Sequence, residues 1–127
     1  MAIRYSVTRK LDKSGAEPVS RYSAQNKVTG HVSNIELAKE LSQNTSLNIS
    51  DVLAVLEQLP DVVCKNMKEG KSVKINRLGT FFNSLTSSLE DSEQAVTPDK
   101  VHYVRVVFKA LPPIREALAK SNFLKSE

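Results

Sequence analysis

Between Gly70 and Leu85 the chain reads GKSVKINRLGTFFNSL, a stretch with three basic residues, no acidic ones and adjacent phenylalanines at 81 and 82. Lys71, Lys74 and Arg77 recur every three residues in what reads as a hairpin. Cations held so close together without counter-charges suit a polyanion, and the plain alternative is one hairpin of an ordinary core. Catalytic chemistry finds less support. His31 and His102 have no cysteine or carboxylate at ligand spacing, so no metal site is expected. Cys64 falls among apolar residues mid-helix, where a buried and inert thiol is the expectation. Four glycines spread over the chain make no phosphate-cradling loop. The chain is read as a non-enzyme without a cofactor.

The elements that must position these residues follow from periodicity and capping. IRYSVTRKL alternates, with Ile3, Tyr5 and Val7 on one face and Arg4, Ser6 and Thr8 on the other, as in a half-buried strand. DKSG is a turn and PVSRYSAQ a second strand. Ser33 to Glu36 (SNIE) fits a capping box opening a first helix, which stops in the polar run SQNTS. Asn48 caps a second, long helix over about Ile49 to Glu69, with Asp51 in its first turn and Gly70 as its stop. Pro60 inside it predicts a kink. Ile49, Val52, Leu53, Leu56, Val63 and Met67 form an apolar stripe that Val55, Leu59 and Val62 widen beyond one packing surface. A second subunit is the natural partner for it.

After that helix come a short strand (KSVKI), a turn (NRLG) and a returning strand (TFFNSLT). SSLEDSEQAVTPDK is a polar, acidic loop or arm. VHYVRVVFKA is a strand whose alternation puts Val101, Tyr103, Arg105 and Val107 on one face. A last amphipathic helix starts at Pro112 and Pro113 and carries Ile114, Leu118 and Phe123.

A length of 127 residues with 40% hydrophobic and 25% charged residues fits one globular domain, residues 1–127. No stretch reaches the roughly 20 apolar residues that span a bilayer, so no membrane partner is expected. MAIRYSVTRK alternates instead of offering an apolar run, so no signal peptide is expected there. One cysteine cannot form an internal disulfide, and a cytoplasmic location is expected. The net charge of +4 is small, but it is segregated. Residues 1–34 carry six basic and two acidic side chains, and residues 100–127 carry the same. Residues 35–70 carry three basic and six acidic, and residues 90–99 hold four acidic and none basic.

From Ser33 onward this order resembles the bacterial histone-like HU and integration host factor family. The likeness rests on SNIELAKELSQNTSLNISDVLAVLEQLPDVV as a helix pair, EGKSVKI after it, the hairpin RLGTFF, and VVFKALPPIREAL as last strand and helix. It implies an α+β fold, an intertwined homodimer with two N-terminal helices, an antiparallel sheet with an arm at about 86–100, and a C-terminal helix. Residues 1–32 are then an N-terminal β extension and 33–127 the HU-like core.

The resemblance further implies a nucleoid-associated, sequence-tolerant binder of double-stranded DNA that grips phosphates from a basic saddle. Lys71, Lys74 and Arg77 are its first contacts, with Gly79 allowing close backbone approach. Lys100, Arg105 and Lys109 follow, then Arg4, Arg9, Lys10 and Arg21 in the extension. Three departures stand against the family pattern. Arg77 and Leu78 replace a glycine and an aromatic before Gly79; the arm reads NSLTSSLEDSEQ, neutral and then acidic; and Pro98 lies outside the family's proline setting. The second reading is a dimeric scaffold that holds a protein partner through its N-terminal strands or acidic arm.

Overall fold

The computed structural model describes residues 1–126. Over the described residues the chain is a mixed α+β protein with three α-helices and two three-stranded sheets. It divides into two compact units, Ser33–Glu116 and a second built from Met1–Val32 with the chain from Ala117 onward.

In the first unit, α1 (Asn34–Asn44) and α2 (Ile49–Lys68) both begin at side-chain caps. The Glu36 amide donates to Ser33 Oγ at 3.3 Å, and the Asp51 amide to Asn48 Oδ1 at 2.9 Å. Each cap satisfies an amide that has no partner within the helix, worth about 1 kcal/mol. α2 runs unbroken through Pro60 and ends where Gly70 takes a φ of 85°. A left-handed residue there turns the chain out of the helix, and glycine adopts it without a Cβ clash.

Strands β3 (Val73–Ile75), β4 (Gly79–Ser87) and β5 (Val101–Ala110) form an antiparallel sheet in that order. Gly79 begins the returning strand and does not form the turn; the left-handed residue is Arg77, at φ 69°. Gly79 is buried, and a Cβ there would collide with the Phe108 ring and approach the Lys109 carbonyl oxygen to 2.8 Å. Phe108 in turn packs on Phe81 across the strand pair, with ring centroids 4.9 Å apart. The register breaks between Ser84 and Leu85: Ser84 pairs with Arg105, Leu85 with Tyr103, and Val104 has no partner. Simple alternation put Tyr103 on the Arg105 face. The bulge rotates it to the helix side, because one extra residue reverses parity.

Helix α3 (Pro112–Ala119) ends earlier than its amphipathic pattern suggests. Phe123 is not helical but opens β6 (Phe123–Lys125), which pairs in parallel with β1 (Ile3–Asp12). β2 (Val19–Asn26) flanks the other edge of β1, giving the order β2-β1-β6.

Among the described residues only Ala38, Val52 and Met67 are buried apolar side chains. Ile35, Leu41, Ile49, Val55, Leu59 and Val62 on the two helices are all exposed. Gly79→Ala is expected to destabilise the fold by about 1–3 kcal/mol through overpacking against Phe108, read as a lower urea midpoint at unchanged m-value. Phe108→Leu in the same chain should restore part of the loss.

Candidate functional site

The two faces of the β3-β4-β5 sheet differ in chemistry, and the register shows how. Val73, Ile75, Phe81, Asn83 and Val106 lie on the helix side, where the Asn83 side-chain amide donates to the Met67 carbonyl at 3.1 Å. That bond ties β4 to the last turn of α2. Between them runs an apolar groove of about 750 Å³, lined by Leu59, Val63, Met67, Phe81, Tyr103 and Val106 among others. Cys64, expected to be buried, is exposed and borders this groove.

The opposite face carries the charges. Lys74 on β3 pairs with Thr80 on β4, and Thr80 with Lys109 on β5, so the three stand in one row across the sheet. One step on, Phe82 faces Val107; one further, Ser84 faces Arg105. Neighbouring strands lie about 4.8 Å apart, which sets Lys74 and Lys109 roughly 10 Å from each other. Arg105 is four residues from Lys109 along β5, roughly 13 Å at the strand rise. None of the three strands contains an acidic residue. Among the described residues Lys74, Arg77, Arg105 and Lys109 have no carboxylate within ion-pair distance. Arg77 sits in the turn beside this face, and its left-handed backbone costs a non-glycine residue about 1 kcal/mol.

Other cations picked out by sequence are already engaged. Lys71 lies 3.2 Å from Glu69. Lys100 lies 3.1 Å from Glu90 and donates to the Ala95 carbonyl at 2.9 Å. It thereby gathers the segment between β4 and β5, which makes two short 3-10 turns at Glu93–Ala95 and Pro98–Lys100. Gly79 is buried inside the sheet, and its lack of a Cβ serves the Phe108 contact.

In the other unit, alternation along β1 and β2 puts Arg4, Lys10 and Arg21 on one face of the sheet and Arg9 on the other. Lys10 and Arg21 are direct neighbours across the strand pair. Like charges so placed repel, and Asp12 offsets part of this through its 2.5 Å contact with Arg21. Two hydrogen bonds from Ser14, then the one from Arg21, hold the Asp12 carboxyl below the ordinary aspartate range. Alternation in the sequence puts Phe81 and Phe82 on opposite faces of the strand, with either ring expected to be core; what it does not give is that Phe82 is the exposed one and stands opposite Val107.

The HU-HIG family, described as an HU domain fused to wHTH, Ig, or Glycine-rich motif, matches residues 1–125. No curated protein matches the chain. Among solved structures, a crystal structure described as a "putative bacterial DNA binding protein" from Bacteroides vulgatus ATCC 8482 superposes with a TM-score of 0.61 at 13% identity. The superposition covers 97% of this chain and 48% of that one, so this chain spans about half of its neighbour's length.

The Lys100 clamp yields a titration test. Hydrogen bonds from Ser88 first, and from Lys100 second, hold the Glu90 carboxyl below its ordinary value of 4.5. A carboxyl with a depressed folded-state pKa adds stability above its unfolded value and loses it as pH falls through the folded value. Carbon-detected NMR titration should therefore give Glu90 a midpoint below 4.5. Lys100→Met should move that midpoint upward, and Ser88→Ala should move it further.

Proposed function

Because the chain belongs to the HU-HIG family, we propose that it is a sequence-tolerant DNA-binding protein that acts as a homodimer. The observation that carries this reading is the acid-free sheet face with its row of Lys74 and Lys109 and the nearby Arg105. Cations held on a rigid sheet, with no carboxylate to satisfy them, engage phosphates and release counterions. That gives affinity without sequence information. Arg77 at the turn extends the same edge. The description of the Bacteroides vulgatus structure as a putative DNA binding protein accords with it.

The contacts rank by freedom. Lys74, Arg77, Arg105 and Lys109 bind phosphate directly. Lys71 and Lys100 contribute less, since each must first leave a carboxylate. Arg4, Lys10 and Arg21 act as a second set on one face of the N-terminal sheet, and Arg9 on the other face is outside it. The protein is non-enzymatic and works on the nucleoid in the cytoplasm. No helix among the described residues is long and apolar enough to cross a membrane.

The dimer is supported by the exposed apolar residues of α1 and α2 and by the groove against β4 and β5. Covering that surface with a second copy would remove from water the side chains that a single chain leaves exposed, at about 25 cal/mol per Å² of apolar area.

Binding of a fluorescent duplex of arbitrary sequence over a salt series tests the proposal. Wild type should give a steep log–log slope and little difference between sequences. Replacing Lys74, Arg105 and Lys109 together by Met should flatten the slope by about one unit for each phosphate no longer gripped. A wild-type chain that fails to bind at low salt would refute the DNA reading. Leu59→Glu, which puts a charge into the groove, should give a monomer by sedimentation equilibrium and weaken DNA binding with it.

A further inference from the structure

On the β3-β4-β5 sheet the basic row of Lys74 and Lys109 is separated from Arg105 by an apolar step. Phe82 and Val107 face each other on adjacent strands, on the same side as Lys74, Lys109 and Arg105. Phe82 keeps 36% of its surface exposed and Val107 is half-buried. The other phenylalanine of the pair, Phe81, lines the groove on the opposite side. An exposed aromatic ring flanked by Thr80, Ser84 and cations is a costly choice for a surface whose only task is charge. A polar side chain would hold the strand equally well there.

We infer that Phe82 and Val107 form an apolar strip that packs against the deoxyribose edges of a minor groove and selects duplex DNA over duplex RNA. This rests on the DNA-binding reading and deepens it. The occupant is argued from complementarity of charge and of size. The Lys74–Lys109 row and Arg105 stand roughly 13 Å apart along β5, with the strip midway between them. That span straddles a B-form minor groove about 6 Å wide together with its two bordering backbones. The cations then meet phosphates on either side, and the strip meets the sugars and groove edge between them. In an A-form RNA duplex the minor groove is wide and shallow and presents 2′-hydroxyls. An apolar strip pressed on those hydroxyls would strip them of water without offering a partner. Phosphate spacing already differs between the two duplexes, and the strip adds a preference for DNA that does not depend on salt.

Charge and strip leave different signatures in salt. Taking a cation away from a phosphate changes the slope of log affinity against log salt, whereas removing apolar packing lowers affinity equally at every salt concentration. The experiment is fluorescence anisotropy of the full chain with a DNA duplex and an RNA duplex of the same sequence, across a salt series. Wild type, Phe82→Gln and Val107→Thr are compared, with far-UV circular dichroism as a check on folding. Val107→Thr keeps the β-branch and decides the matter should Phe82→Gln misfold. Wild type is expected to prefer DNA. Each variant should lose up to about tenfold for DNA, as expected for giving up part of a buried apolar side chain, at unchanged slope and with RNA affinity nearly unaltered. Variants that keep the wild-type DNA-to-RNA ratio would overturn the strip while leaving the DNA-binding reading intact. A wild type that binds both duplexes equally, with variants weakened on both, would also overturn it. A wild type that binds neither would refute the underlying reading itself.

Discussion

Helix α2 carries more apolar surface than its own unit can cover, and much of the remaining architecture answers to that constraint. Its stripe packs on α1 along one side, where Ala38 and Val52 are buried, and on the sheet near Met67. Leu59, Val62 and Val55 are left facing outward. The Asn83 bond to the Met67 carbonyl fixes β4 against the end of the helix. The groove between them is thus a defined shape, and not merely a loose gap. With one sheet face committed to apolar packing, the cations of β3 and β5 are driven to the other by strand alternation. A packing demand on one side and an electrostatic surface on the other are two consequences of the same register.

That register depends on one glycine. Phe108 can lie across the strand pair onto Phe81 only because Gly79 offers no Cβ. The same pairing aligns Lys74, Thr80 and Lys109. A shift by one residue would send the lysines to the helix side and Phe81 and Phe108 out. The turn that sets it is built without glycine: Arg77 takes the left-handed position, at a modest backbone cost for a residue with a Cβ.

Much of this was legible in the residues. Ser33 and Asn48 announced their helices because a short polar side chain before an apolar stripe has one obvious use, and both cap as expected. The hairpin and its basic residues were equally plain, as was the family resemblance they carried. Three features were not. β6 escaped because Phe123–Lys125 is short and its partner, Ile3–Tyr5, lies at the other end of the chain, where no local pattern reaches. The bulge at Val104 escaped because residues on both faces of β5 are apolar, so alternation cannot reveal a skipped step. Lys100 looked like a free cation, although the acidic loop before it supplies its own counter-charge in Glu90.

The parallel pairing of β1 with β6 has a bearing on how the polypeptide acquires its structure. The Ile3 amide donates to Asn122 and the Ser126 amide to Tyr5, so residues nearly the whole sequence apart meet in one ladder. The helices and the hairpin of Ser33–Glu116 need only nearer partners and can form while the ribosome is still adding residues. The β1–β2 hairpin emerges before that unit but gains its third strand after it, through a long-range closure. Until then the Ile3–Tyr5 edge of β1 offers unpaired amides and carbonyls to any strand nearby. Synthesis therefore leaves the nascent chain with an open β-edge at Ile3–Tyr5 while the intervening residues are added, closed only when Phe123–Lys125 arrives.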